Sequence, residues 1–409
     1  MGKVLTDNVI AVIDKLNAIG NELQGFIKER EEVIELIKLA LISKRNLFFL
    51  GETGQAKSFV VKEFNKRIKG SNYMDILMNK MMDKDELYGR LDIPELVKGN
   101  QKVIIEGKLP DSDVVFLDEI FKSNEVVLNT LLKSLNFEDI NLEGKSLPSR
   151  HLAIFAASNE LPNFKKEEDK ILYPLYNRLH LKIITKYIEQ KDNFKEAIKA
   201  KRSRNGQQIN NCIEIKEIMM LNEKVWDIEV PEEIDDILWD ISKEIERKLS
   251  RPVSDRKLIE SSILLQANAL LNKREKVELS DIKVLEYYLW EFPEETPTIK
   301  EIINRFSENP TKDKLLGIKA LAIEQLNDAY DVLKGGDQRA INKTFTKTEK
   351  EFFSLHTAVE ELSKNANIEN DSVLINEMLQ QFEDMYKEFN NRFGYTYTSI
   401  NEMKTRSGY

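Results

Sequence analysis

Cysteine is nearly absent from this chain of 409 residues: Cys212 stands alone, so no intramolecular disulfide can form. That suits a reducing, cytosolic setting. Histidine is almost as scarce. His151, His180 and His356 lie far apart, and no C-x-x-C or H-x-x-x-H spacing occurs, which argues against a structural zinc site. No apolar run approaches the roughly 18 residues needed to span a bilayer. The start, Met1 to Ile13, is amphipathic and lacks the basic opening and apolar core of a secretion signal. These absences lead us to expect a soluble, cytoplasmic protein without direct membrane insertion. An excess of positive charge is missing too. The net charge is -9, whereas proteins that grip a nucleic-acid backbone are usually basic, so nucleic acid is not expected as a partner. Lys199, Lys201, Arg202 and Arg204, with Gly206 after them, read as a solvated loop.

What is present is a sequence able to bury a core, with 41% hydrophobic and 32% charged residues. Its length suffices for two or three domains. Val9, Val12, Ile13, Leu16 and Ile19 repeat at helical spacing, with Gly20 as the expected stop. A second helix is expected over about 29–43. Short apolar runs follow at Asn46–Leu50, Met74–Met78, Val114–Leu117, Leu152–Ala156 and Leu181–Ile184, most of them separated by helical stretches. That alternation predicts a parallel sheet covered on both faces, within an α/β domain of residues 1–188 including the N-terminal helices. Over 189–298 strand candidates nearly vanish and helices dominate, Asp235–Leu249 and Asp255–Leu271 among them, with Ser280-Asp281 expected to cap another. Over 299–409, three apolar stripes, typified by Leu315-Ile318-Ala322-Leu326, predict a small antiparallel helical bundle. Gly335-Gly336 is expected to stop its first helix and Asp371 or Ser372 to cap its third. The last dozen residues are expected to be loose.

Gly51-Glu52-Thr53-Gly54-Gln55-Ala56-Lys57-Ser58 is the segment with the most specific chemistry. It follows an apolar strand, precedes a helix, and fits G-x-x-x-x-G-K-[ST] except that Ala56 stands for the usual glycine. Backbone N–H groups and the helix N-terminus of such a loop cradle phosphates, a lysine in the position of Lys57 reaches the outer phosphates, and a hydroxyl in the position of Ser58 binds Mg²⁺. Alanine fits at position 56 if φ there is negative. ATP with Mg²⁺ is the expected ligand. Val114-Val-Phe-Leu-Asp118-Glu119 delivers two acids at a strand end, Asp118 suited to hold the metal through water and Glu119 to polarise an attacking water. Leu152–Asn159 is another apolar strand with a polar tip. Asn159 is placed either to position that water or simply to form the turn before Pro162.

These segments, with Leu175-Tyr-Asn-Arg178 and Val253-Ser-Asp-Arg-Lys257, occur in an order that resembles AAA+ ATPases of the MoxR group, most closely the RavA branch. The branch shares Ala-Lys-Ser in the loop, Ala156-Ala-Ser-Asn-Glu-Leu-Pro162, and Ser-Asp-Arg followed by Leu-Leu-Gln-Ala. The resemblance covers roughly residues 20–300. It implies an AAA+ P-loop domain with a five-stranded parallel sheet, an all-α lid and, here, a C-terminal helical bundle. It further implies a homo-hexameric ring with ATP between subunits. In it Asn159 serves as sensor 1, Arg178 as an arginine finger reaching a neighbour's γ-phosphate, and Arg256 as sensor 2 on the lid. Segments 136–150, turning at Glu143-Gly144-Lys145, and 81–108, turning at Gly99-Asn100, match insertions that line the pore in related rings. A von Willebrand A-domain protein is the expected partner. A lysine decarboxylase partner, known for RavA-like chains, is not expected, because no β-rich insertion is visible in the bundle. The function implied is an ATP hydrolase that remodels or matures a client complex. The alternatives are a nucleotide-gated scaffold with slow hydrolysis and a nucleic-acid motor.

Overall fold

The computed structural model describes residues 5–142, 144–203, 209–307, 310–334, 338–364, 369–400 and 402. They form two compact units, Met1–Asn304 and Arg305–Tyr409. At the centre of the first lie β1 (Leu47–Leu50), β2 (Tyr73–Leu77), β3 (Val114–Asp118), β4 (Ala153–Ser158) and β5 (Leu181–Ile184). All pair in parallel, in the order β5-β1-β4-β3-β2. Every residue of β1 and β4 is buried, as expected for strands covered on both faces. Phe49 of β1 lies 6.2 Å from Phe116 and 6.4 Å from Phe155, so one aromatic layer ties the three central strands together.

Helices α1 (Asp7–Phe26), α2 (Glu31–Ser43), α3 (Lys57–Asn65) and α4 (Glu125–Leu135) belong to this unit. Thr6 caps α1 by accepting from Val9 N. The helix does not stop at Gly20. It continues to Phe26 and buries Leu23. A Cβ at Gly20 would meet Ile34 Cγ2 at 3.4 Å, so the bare backbone lets α1 lie close against α2. Burying Leu23, at ~1.5–3 kcal/mol, outweighs the ~1 kcal/mol cost of an interior glycine.

Both expected insertions form. Ile140–Leu142 and Lys145–Leu147 make an antiparallel hairpin with Gly144 at φ 80 in its turn; Glu143 lies outside the described residues. Arg90–Leu91 pairs antiparallel with Val103–Ile104, the helix Ile93–Val97 lies between them, and Gly99 at φ 85 turns the chain back.

Helices then follow: α5 (Lys191–Ser203), α6 (Ile215–Val225), α7 (Glu232–Leu249), α8 (Asp255–Leu271) and, after a 3₁₀ segment at Leu279–Tyr287, α9 (Thr296–Ser307). Lys199, Lys201 and Arg202 sit on α5, in a helix rather than the expected loop; Arg204 and Gly206 lie outside the described residues. Of the expected Ser280-Asp281 cap, Asp281 takes part: Glu278 is the N-cap of the 3₁₀ segment, and its N–H donates to Asp281 Oδ2 at 2.8 Å. Asp281 is drawn inside, where it accepts from Asn268 Nδ2 at 2.7 Å and pairs with Arg274 at 2.6 Å.

In the second unit, α10 (Pro310–Lys334), α11 (Gln338–Lys364) and α12 (Glu369–Phe393) each touch the other two. The connections 335–337 and 365–368 are too short to carry the chain back along a helix, so neighbours run antiparallel. Phe352, Phe382, Tyr386 and Phe389 fill the core, and Phe345 stacks on Phe389 at 4.9 Å. Gly335, Gly336 and the side chains of Asp371 and Ser372 lie outside the described residues. Part of the tail expected to be loose is packed: Ile400 is buried and its N–H donates to Glu383 Oε1 at 3.1 Å. Among the described residues this unit has no strand, and among the described residues of both units no helix is long and apolar enough to cross a membrane.

Candidate active site

The sheet order decides where the polar strand ends meet. β4 lies between β1 and β3, so Asn159, just beyond β4, stands between the loop after β1 and the acids that end β3. Lys57 Nζ donates to Gly51 O, to Glu52 O at 3.3 Å and to Asn159 Oδ1 at 3.2 Å. The other end of the same amide, Nδ2, donates to Glu119 Oε1. Lysine, asparagine and glutamate thus form one chain across three strands. Burial pushes the Lys57 pKa down, and the nearby Asp118 and Glu119 carboxylates oppose that shift. Asp118 is held by its own neighbour, Oδ1 accepting from Glu119 N at 3.0 Å.

The loop departs from expectation at one backbone angle. Ala56 has φ 62 and ψ 23, in the left-handed region, not the negative φ anticipated for an alanine. The reason lies in what the loop must do. Gly54, at φ 81, and Ala56 both carry the chain through left-handed conformations, the kind of turn from which anion-binding concavities are built, and Ala56 is also the N-cap of α3. A methyl group there costs ~1–2 kcal/mol relative to glycine. Gly51 is required for space: a Cβ on it would overlap the side-chain oxygens of Gln55 and Thr185.

Arg30 ties this loop to the segment between α1 and α2. Its guanidinium is buried and donates to Gln55 O at 3.2 Å, Lys186 O at 2.5 Å and Glu29 O. Beside the loop opens a largely apolar cavity of about 370 Å³, with Phe26, Ile27, Phe59, Tyr187, Ile188 and Phe194 in its walls. The Tyr187 hydroxyl lies 3.0 Å from Thr53 O and from Glu52 Oε2. Glu29 accepts from Glu189 N at 2.8 Å and Gln190 N at 3.0 Å, and so caps α5, which covers one side of the cavity. None of these wall residues, nor Arg30, stands out in the sequence. They come from four separate segments with no shared spacing. The aromatic Tyr187, three residues beyond a strand that ends at the ligand edge, is the nearest thing to a signal.

Arg178 and Arg256 are elsewhere. Arg178 precedes β5, and its carbonyl accepts from Asn46, which precedes β1. It therefore sits at the edge of the sheet where the strands begin, whereas the phosphate loop is where they end. β1 alone, at ~3.3 Å per residue, separates the two edges by about 13 Å. Arg178 Nε donates to Asn136 Oδ1 at 3.0 Å. Arg256 lies in the first turn of α8, its Nε 2.7 Å from Glu260 Oε1. Both arginines line one cavity of about 650 Å³, together with His180, Arg251, Lys257 and Glu260. The structure thus gathers Lys57, Asp118, Glu119 and Asn159 at one edge and Arg178 with Arg256 at the other.

A phosphate loop on the second strand of a β5-β1-β4-β3-β2 parallel sheet, an acidic pair two strands away and a helical lid behind define the AAA+ class of P-loop ATPases. Residues 14–223 match the family of MoxR domains found in MoxR-vWA-beta-propeller ternary systems, and residues 233–303 match an AAA lid domain. The chain belongs to this MoxR family. Two uncharacterised proteins of Methanocaldococcus jannaschii resemble it. One is 31% identical over 320 residues, covering 76% of this chain and 80% of that protein. The other is 30% identical over 283 residues, covering 68% and 72%. A structural protein of Acidianus two-tailed virus is 28% identical over 180 residues, 43% of this chain and 29% of its own length. In fold, the crystal structure of a candidate ATPase from Cytophaga hutchinsonii matches with a TM-score of 0.60, at 17% identity, covering 73% of this chain and 96% of that one.

Proposed function

We propose that this protein is a Mg²⁺-dependent ATP hydrolase that acts as a ring, with six subunits expected, and uses turnover to remodel or mature a client protein complex. The observation that carries the reading is the division of charges between the two sheet edges. The Lys57-Asn159-Glu119 chain supplies a phosphate contact, a water-positioning amide and a carboxylate. Arg178 and Arg256 share a cavity at the opposite edge of the sheet, which supports a reading in which a second copy brings them to that site.

The donors fit the ligand. The left-handed turns at Gly54 and Ala56 suit a backbone cradle for phosphate oxygens, and the cavity walled by Phe26, Phe59 and Tyr187 suits a purine base. Ser58 and Asp118 are hard oxygen donors, in keeping with Mg²⁺, which is usually held by one or two protein oxygens with phosphates and water completing its shell. The metal, when bound, neutralises charge on the phosphates. Glu119 Oε2 is buried with no hydrogen-bond partner among the described residues, which suits a carboxylate that accepts from an attacking water. Arg178 of a neighbour then stabilises charge on the transferred phosphoryl group.

The family description supports a von Willebrand A-domain protein as partner. Assignment to the RavA branch rests on the sequence motifs alone. ATP turnover of the parent, Lys57→Ala and Arg178→Ala tests the reading. Each variant alone should be inactive, and an equimolar mixture of the two should regain part of the activity, because mixed interfaces pair an intact Lys57 edge with an intact Arg178. A mixture as inactive as its components overturns the shared-site reading.

A further inference from the structure

We propose that Lys122 is a positioning residue for hydrolysis: its ammonium holds one oxygen of Glu119 so that the other faces the attacking water. The inference rests on the ATPase reading above. Glu119 has φ 54 and ψ 45, a left-handed conformation that persists in a non-glycine residue only where the surroundings hold it. Ile120–Lys122 then form a single 3₁₀ turn, with Lys122 N donating to Glu119 O at 2.9 Å. That bend returns the lysine over the carboxylate three residues back and sets Nζ 3.3 Å from Oε1.

The turn is anchored from below. Ile120 is fully buried, and Phe121 packs edge-on against Phe48 at 5.7 Å and lies 6.2 Å from Tyr176. Asn159 Nδ2 donates to the same Oε1. One hydrogen-bond donor and one cation therefore engage the same oxygen, while Oε2 is buried without a hydrogen-bond partner among the described residues. Activating a water requires an oxygen held in one place, because small displacements of a catalytic group are costly. Lys122 itself is more than half exposed, and an ion pair of that kind contributes little to folding. Its removal should therefore leave the protein folded, and a surface pair without a catalytic role would leave turnover unchanged.

The test is steady-state ATP turnover of the full chain as parent, Lys122→Met, Lys122→Arg and Glu119→Gln, with melting temperatures alongside. Lys122→Met should lower kcat about tenfold while the KM for ATP and the melting temperature stay at parental values. Lys122→Arg should recover most of the loss, since a guanidinium reaches the same oxygen. A Lys122→Met protein with parental or raised kcat overturns the inference, as does Lys122→Arg turning over as slowly as Lys122→Met. Glu119→Gln separates the two levels. If it hydrolyses like the parent, the ATPase reading itself fails; if it is inactive while Lys122→Met is unaffected, only the role of Lys122 fails.

Discussion

Replacing Ala56 by glycine should make this protein more stable, against the usual expectation for removing a methyl group at a helix start. Ala56 sits at φ 62, where an L-residue with a Cβ pays ~1–2 kcal/mol. Glycine removes that strain. It also frees the unfolded chain, which costs ~0.4–1 kcal/mol. As N-cap of α3, the position favours glycine over alanine again, since capping preferences place Gly well above Ala. The net gain is about 1 kcal/mol, which in a unit of this size raises the melting temperature by about 2 °C. Valine should move the other way, because a β-branched side chain is strongly disfavoured at positive φ. The assay is thermal unfolding of the parent, Ala56→Gly and Ala56→Val without nucleotide, followed by far-UV circular dichroism. The expected order is Gly above Ala above Val. If glycine lowers the melting temperature, or valine matches alanine, the left-handed geometry assigned to the loop is wrong.

Two further outcomes are expected. Arg30→Met should leave Gln55 O and Lys186 O without their buried donor; losing such partners costs ~1–3 kcal/mol each, so both the melting temperature and the affinity for ATP should fall, measured by thermal shift with and without nucleotide. His151 is buried, its Nδ1–H donating to Ser112 O at 2.8 Å, and burial pushes its pKa down to about 4. In the unfolded chain it titrates near the ordinary ~6.5. Its contribution is therefore complete above about pH 6.5 and lost as pH falls toward 4, so the melting temperature of His151→Gln should decline less steeply than the parent's across that window.

The five sheet strands were legible because strands buried on both faces must be continuous apolar runs, as Leu47–Leu50 and Val114–Leu117 are. That Lys57, Asp118, Glu119 and Asn159 meet at one edge was legible because phosphate chemistry ties residue type to spacing. The backbone of Ala56 was not, because an alanine does not by itself announce a left-handed turn. Gly20 misled for a related reason: it reads locally as a helix stop, yet the approach of α2 puts it mid-helix. The cavity beside the loop escaped notice since Phe26, Phe59, Tyr187 and Phe194 meet only in the fold. The shared cavity of Arg178 and Arg256 likewise depends on where α8 lies relative to β5, which no pattern within either segment encodes.

The amide of Asn159 has an implication of its own. Lys57 and Glu119 carry opposite charges and reach the same spot, yet no direct pair between them is formed; the amide stands between, oxygen toward the cation and nitrogen toward the anion. A neutral dipole is an insulator with a polarity. It contacts both ions without letting this lysine and this glutamate pair directly; Lys122 engages the same Oε1, and Oε2 is the oxygen left without a hydrogen-bond partner among the described residues. An aspartate of the same shape would offer no proton to Glu119 and would repel it, and a leucine would let the two charges collapse together. One uncharged side chain thus keeps two charged ones apart.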